Sequence, residues 1–370
     1  MFLLVLPLFI SLLVALLLVV YSQSHTHLTI NSSKSRVQKF HTTPIPRLGG
    51  VGIILGMLSA FIFLYFQSFE IGSICLLLIA FGLPTFLSGL IEDFTGNVSI
   101  YIRFIASLFS AAFAGYFLNT WLSSFEIELL DNIMLRFPFL AVGITCFAVS
   151  GLINAFNIID GYNGISSMVA IIILLGLAYV AFQVADQFIL IAALVMISAL
   201  IGFLILNYPC GLVFLGDGGA YFIGFWIAEL SILLTSRNPE VSKWFPLLLC
   251  FYPVFETLFT IYRRVFLKKI HPGVADACHL HQLIYRRIVC FSTGHYSKCS
   301  INKLNSMTSP YLCFFTGLSV ISAILFWHNH VALKVIFILF SIGYTWFYWS
   351  IVRFKVHYLI RIYTNRIRFK

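Results

Sequence analysis

Apolar runs of about 20 residues, enough to cross the roughly 30 Å hydrocarbon core of a bilayer at about 1.5 Å per residue, recur along the whole chain. Short polar or glycine-rich stretches separate them. The pattern predicts helical spans at 2–21, 48–66, 71–91, 103–121, 135–153, 165–185, 187–206, 220–235, 244–262, 311–327 and 331–351. The expected fold class is all-α, a polytopic integral membrane protein with about 11 transmembrane helices. No Lys or Arg precedes the first run, so it lacks the basic start of a signal peptide and reads as an uncleaved span. We expect one membrane-embedded domain over 1–370, with a cytoplasmic loop at 263–310 and a basic cytoplasmic tail at 352–370.

Composition agrees. A chain of 370 residues that is 60% hydrophobic and 10% charged, with mean hydropathy +0.98, is not a water-soluble domain. When loops are assigned alternately to two sides, all but four of the 23 Lys and Arg fall on one side; Arg136, Arg237, Lys243 and Lys334 lie opposite. The positive-inside rule then puts the N-terminus outside and the C-terminus in the cytoplasm. The net charge of +10 fits anionic-lipid attraction by the tail from Arg353 onward. Between Arg263 and Arg287, where cations share a loop with His and Asp, it also suits phosphate binding. No nucleic-acid reader motif occurs in a soluble segment. Eight cysteines without a CxxC pair give neither a disulfide framework nor a zinc site.

Four acidic islands interrupt the oily pattern, and all fall on the predicted cytoplasmic side. Carboxylates are costly near lipid and usually face a polar cavity or a function. GLIEDFTG (89–96) holds Glu92 and Asp93, which could share a divalent cation or hold one proton between them. NAFNIIDGYNG (154–164) sets Asn154, Asn157, Asp160 and Asn163 three residues apart, on roughly one helical face. FLGDGGA (214–220) places Asp217 in a glycine-rich turn before a helix, where it could either cap that helix or hold Mg²⁺ against an anion. KKIHPGVADACHLHQLIYRR (268–287) carries His271, His279, His281, Arg286 and Arg287 as donors to phosphate or sugar oxygens, with Asp276 able to orient an imidazole. A fifth stretch, HTTPIPRLGG (41–50), sets Arg47 beside two prolines and two glycines. Glu256 could face the cleft or pair with Arg263 or Arg264, structural pairing being the stronger reading.

In order, PIPRLGG, the Glu92–Asp93 pair, NAFNIIDGYNG, GDGGA and HLHQ resemble the polyprenyl-phosphate N-acetylhexosamine-1-phosphate transferase family (glycosyltransferase family 4), over nearly the whole chain. The PIPRLGG form is similar to the WecA and TagO branch more than to the related MraY branch. The resemblance implies transfer of a sugar-1-phosphate from a UDP-sugar to undecaprenyl phosphate with release of UMP, using Mg²⁺ or Mn²⁺, at the cytoplasmic face of the bacterial inner membrane. N-acetylglucosamine-1-phosphate is the default group, and initiation of a lipid-linked glycan such as O-antigen the implied role. By the same resemblance Glu92, Asp93 and Asp160 are expected to be catalytic. Asp217 and Asp93 would hold the metal, and Arg47, Asn154, Asn157, Asn163, His279, His281 and Arg286 would bind substrate. Membrane lipid and a second copy of the chain are the other expected partners.

Three positions depart from the family pattern: Glu92 stands for the first Asp of a pair, Asn163 for the second Asp of DGxDG, and Gln282 for a third histidine. Ala277 also stands where many relatives have Arg. A secondary transporter is the alternative reading, since broken helices and membrane carboxylates occur there too. Against it, transport sites sit near the bilayer midplane, whereas these islands gather at one face, and no internal repeat of the span pattern is visible.

Overall fold

The computed structural model describes residues 1–24, 45–269, 278–289 and 305–353. Its principal helices are α1 (Phe2–Ser24), α2 (Gly49–Gln67), α3 (Phe69–Thr95), α4 (Ile100–Leu118), α5 (Glu128–Arg136), α6 (Pro138–Ile159) and α7 (Ile165–Gln183). They continue as α8 (Gln187–Asn207), α9 (Gly216–Arg237), α10 (Phe245–Leu249), α11 (Phe251–Tyr262), α12 (Leu280–Ile284), α13 (Ser309–Leu325) and α14 (His330–Val352). A π-helical turn, Arg263–Leu267, extends α11, and another, Tyr285–Val289, extends α12. Among the described residues, nine helices are long and apolar enough to cross a membrane: α1 to α4, α6 to α9 and α14. The chain is thus a multi-pass membrane protein, all-helical among the described residues. His271, Asp276 and Ala277 lie outside the described residues.

Two predicted spans take a different form. The run at 244–262 is divided into α10 and α11 at Cys250. Pro253 explains the break, because a helical proline ring clashes with the carbonyl four residues earlier, here that of Leu249, the last residue of α10. The run at 135–153 begins later, with Pro138 in the first turn of α6, while Leu135 belongs to the separate nine-residue α5. That helix buries only Met134 and exposes Leu129 and Leu135. α13, with 17 residues, is shorter than the nine.

The core is organised around α9. Its apolar window is wholly buried, and α2, α3, α4, α6, α7 and α8 all pack on it. Phe222, Phe225 and Trp226 fill this centre, with Trp226 stacked 5.7 Å from Phe61 of α2. In contrast, α1 and α14 are peripheral and present Phe9, Leu17, Ile338 and Trp346 outward, as helices facing lipid do. Burial from all sides holds α9 rigid, so residues on its first turn start from a fixed frame.

Polar contacts concentrate at the two ends of the bundle. At one end Arg237 pairs with Asp186 at 2.7 Å, Glu126 accepts from Ser242 Oγ at 2.6 Å, and Lys334 donates to the Glu126 carbonyl. Asp93, Asp160 and Asp217 occupy the other.

Candidate functional site

The site is built on the start of α9. Gly216 opens that helix with φ at +80°, a left-handed value costly for a residue with a side chain. A Cβ there would sit 2.1 Å from the Arg47 carbonyl oxygen and 2.5 Å from Asp93 Oδ2. The first-turn amides of a helix lack internal partners and form its positive end. Asp93, in the last turn of α3, satisfies them: its Oδ1 accepts from the Asp217 amide at 2.9 Å and its Oδ2 from the Gly218 amide at 3.0 Å. α3 can approach this closely because Gly89 has no side chain; a Cβ would lie 2.5 Å from the Gly218 nitrogen.

This arrangement decides between the two sequence readings of Asp217. It sits within the first turn of the helix instead of in a turn before it, and α3 supplies the cap. Its carboxylate is therefore available, and Oδ2 meets Arg103 Nη1 of α4 at 2.6 Å. Sequence reasoning used Arg103 only for topology. The signal available was a lone cation at the cytoplasmic start of a span, ten residues after the acidic pair.

The segment carrying Arg47 is tied to the same place by backbone pairing. Phe214 donates to the Pro46 carbonyl at 2.9 Å, Gly49 to Phe214 at 2.9 Å and Gly50 to Leu215 at 3.0 Å. Arg47 is exposed, and among the described residues its guanidinium has no ion-pair partner. Asp160 follows the end of α6, and its carboxyl makes no hydrogen bond among the described residues. Burial pushes its pKa up to about 7; the Asp217 charge adds to the rise and Arg47 opposes it. Asp160, Asp217 and Arg47 thus form one electrostatic cluster.

Asn154 and Asn157 lie behind Asp160 on the same stripe, each partly exposed, and Asn154 Nδ2 donates to the Ser150 carbonyl at 2.8 Å. Glu92 and Asp93 diverge. While Asp93 is buried against α9, Glu92 turns to the α3–α4 connection, where Oε2 accepts from the Val98 amide at 2.7 Å.

Asn163 is 2% exposed and points into protein. Its Nδ2 donates to the Pro209 carbonyl at 3.1 Å, its amide to Asn305 Oδ1 at 2.9 Å, and its carbonyl accepts from Ser309 Oγ at 2.5 Å. A carboxylate has no donor for Pro209, so the departure from the family's Asp suits this packing. Backbone and side chain of Asn163 together join three segments, and the residue is not part of the partly exposed Asn154–Asn157–Asp160 stripe.

The histidines are also enclosed. His279 Nδ1 lies 3.0 Å from Glu256 Oε1 of α11, and its Nε2 lies 3.2 Å from Arg264 Nη2. The partner of Glu256 is thus an imidazole, where sequence reasoning had named Arg263 or Arg264. The His279 and His281 rings stack at 5.3 Å with only 3° between their planes. His281 is 1% exposed and its pKa is pushed down to about 3, by burial first and then by His279, with Glu256 opposing. It is a neutral imidazole, and a Cβ on Gly161 would meet its Nε2 at 2.8 Å. The histidine segment therefore rests directly on the Asp160 loop. Gln282 closes a capping box by accepting from the His279 amide at 3.2 Å, which gives the residue in place of a third histidine a structural role. Arg286 is exposed on the same segment, while Arg287 donates to the Ile351 carbonyl at the end of α14 at 2.8 Å.

Residues 74–235 match the model of glycosyl transferase family 4. A phospho-N-acetylmuramoyl-pentapeptide-transferase of Lactobacillus johnsonii is 30% identical over 229 residues, which are 58% of this chain and 68% of the relative. The chain belongs to glycosyl transferase family 4. A probable undecaprenyl-phosphate N-acetylglucosaminyl 1-phosphate transferase of Bacillus subtilis is similar at 28% identity over 265 residues, 70% of this chain and 69% of the relative. An undecaprenyl-phosphate alpha-N-acetylglucosaminyl 1-phosphate transferase of Yersinia pestis matches at 28% over 266 residues, 68% and 69% of the two chains.

The region that matches the family 4 model runs from α3 through α9 and so contains Glu92, Asp93, Arg103, Asp160 and Asp217. Arg47 and the histidine segment lie outside it. Its oxygen donors suit a hard cation, since Asp160 is unpartnered and Asp217 is held only by Arg103 among the described residues. No group of three or more His, Cys, Asp or Glu that could hold a metal occurs among the described residues. Mg²⁺ needs no such cage, because it is commonly bound by one or two carboxylates together with substrate phosphates and water.

Proposed function

We propose that this chain transfers N-acetylhexosamine-1-phosphate, by default N-acetylglucosamine-1-phosphate, from a UDP-sugar to undecaprenyl phosphate, releasing UMP. The observation that carries this reading is the Asp217–Arg103 pair on the first turn of α9, with the Arg47 segment hydrogen-bonded to Phe214 and Leu215 just ahead of it and Asp160 within electrostatic reach of both Asp217 and Arg47. Carboxylates for a cation stand there beside guanidinium groups for phosphate oxygens. The printed names of the relatives from Bacillus subtilis and Yersinia pestis support the acceptor and the transferred group. The uneven distribution of Lys and Arg supports an active face in the cytoplasm of a bacterial inner membrane. Initiation of a lipid-linked glycan such as O-antigen is the corresponding role.

In the proposed mechanism Asp217 and Asp160 would hold Mg²⁺, or Mn²⁺, and Asp93 acts by fixing the first turn of α9. When bound, the cation would neutralise charge on the diphosphate and on the leaving UMP. Arg47, Arg103 and Arg286 hold phosphate oxygens by charge-assisted bonds. Both Asp93 oxygens are used by α9 amides and Asp160 is given to the cation, which leaves Glu92 as the carboxylate able to take a proton from the lipid phosphate. An oxygen of that phosphate attacks the phosphorus bearing the sugar; the new P–O bond forms as the diphosphate bond breaks and UMP departs. Positioning and electrostatics supply most of such catalysis.

The test is an assay of the purified full chain with Mg²⁺, undecaprenyl phosphate and a panel of UDP-sugars. Release of UMP that requires both the lipid and the metal is the expected result. Solute uptake into vesicles without UMP release would instead establish a transporter.

A further inference from the structure

Glu256 is a fully enclosed carboxylate, 1% exposed, to which the family resemblance gives no role. It gathers donors from three parts of the chain. His279 Nδ1 lies 3.0 Å from Oε1, Thr260 Oγ1 donates to Oε1 at 3.2 Å, the Leu280 amide reaches Oε2 at 3.3 Å, and the Tyr344 hydroxyl of α14 donates to Oε2. An ionised carboxylate only accepts, with about four lone-pair directions, so this set of donors matches its capacity.

The far side of the imidazole fixes the tautomer. Arg264 can only donate, so His279 Nε2, 3.2 Å from Arg264 Nη2, must accept and Nδ1 must carry the hydrogen given to Glu256. Tyr344 and His279 thus both donate to Glu256, and Arg264 donates to His279. A branch leaves the His279 ring for His281, stacked on it at 5.3 Å, and from there to Gly161 beside Asp160.

We propose that Glu256 is a positioning residue for the nucleotide-sugar half of the site, acting through His279 on Arg264 and on the Asp160 loop. This rests on the transferase reading above. Tyr344 makes the peripheral α14 part of the device, joining it to the loop over the acidic cluster. A glutamine at 256 would keep the shape but replace one accepting oxygen with a donor, leaving a single oxygen for the four donors. The His279 Nδ1 hydrogen would then compete with three other donors for that oxygen, and the ring whose Nε2 faces Arg264 would lose its anchor.

The test uses the full-length purified protein in lipid nanodiscs, comparing wild type with Glu256→Gln, Glu256→Asp and Tyr344→Phe. Equilibrium binding of UDP-N-acetylglucosamine, KM for each substrate and thermal stability are measured for all four. The expected result for Glu256→Gln is at least a tenfold weaker UDP-sugar affinity and a matching rise in its KM, with KM for undecaprenyl phosphate unchanged. Glu256→Asp recovers part of that loss. Tyr344→Phe, which leaves the carboxylate intact, gives a smaller loss in the same direction and decides the matter if Glu256→Gln does not fold. Unchanged UDP-sugar affinity in folded Glu256→Gln and Tyr344→Phe, or loss of stability with no KM split, would overturn the proposal. A wild-type protein that neither binds the nucleotide sugar nor releases UMP overturns the transferase reading itself.

Discussion

Arg103 Nη1 of α4 lies 2.6 Å from Asp217 Oδ2 of α9, which sets a guanidinium directly beside the carboxylate best placed for a cation. The pair is partly exposed, with side-chain accessibilities of 15% and 26%. Such pairs contribute only about 0–1 kcal/mol to stability. Arg103→Ala is therefore expected to leave the melting temperature within a few degrees of wild type while lowering UMP release more than tenfold. Assay and thermal melt on one preparation check this, and a large fall in stability with turnover preserved would assign Arg103 to the fold alone.

Asn163→Asp restores the residue that the family pattern has at that position, yet we expect it to be harmful here. The new side chain cannot donate to the Pro209 carbonyl, and it places a carboxylate at a site only 2% exposed. Loss of a buried hydrogen bond with a group left unsatisfied costs about 1–3 kcal/mol, more when charge is involved. A thermal melt should show a clear drop; Asn163→Asp protein as stable as wild type would disprove the packing role.

Much of this architecture is written locally and some is not. Long apolar runs made nine membrane helices readable, because hydrophobic length depends on no distant partner. The division at Cys250 was hidden because it falls inside an apolar stretch that reads as one span, and α5 because its nine residues, with Glu128 and Asp131 in the first turn, lie mostly ahead of one. At the site, Asp160 and Asp217 were legible from the glycine and asparagine around them. That Asp93 caps the helix carrying Asp217 was not, because this bond joins residues 124 positions apart and leaves no periodic trace. The pairing of Arg103 with Asp217, and of Glu256 with His279 instead of Arg263 or Arg264, was hidden for the same reason: each contact forms only when distant helices pack together.

His281 gives a pH prediction of definite sign. Its folded pKa of about 3 lies below the ordinary histidine value of 6.5, so the unfolded chain binds the proton first as pH falls. The neutral ring's contribution is present above pH 6.5 and is lost progressively as pH drops from there toward 3. Stability measured from pH 7 to 4.5 should decline, and His281→Phe, which keeps an aromatic ring against Gly161 and against the Tyr162 ring that packs edge-on 5.6 Å from His281, should flatten that decline. Equal slopes for the two proteins would remove His281 as a source of acid sensitivity.

Gly216→Ala tests whether the α9 start is the frame of the site. The left-handed backbone alone costs an alanine on the order of 1–2 kcal/mol, and its methyl would press on the Arg47 carbonyl and on Asp93 Oδ2. Asp93 would then have to withdraw from the Asp217 and Gly218 amides, tilting the helix turn that aims Asp217. Gly143→Ala in α6 is the matched control, because a Cβ there meets nothing within 4 Å and the backbone is helical. We expect Gly143→Ala to behave as wild type and Gly216→Ala to lose UMP release together with several degrees of melting temperature. Raising Mg²⁺ should not restore it, since the misplaced carboxylate is limiting and the cation is not. Full activity of Gly216→Ala at ordinary Mg²⁺ would mean that the contact between Asp93 and the start of α9 does not govern the chemistry.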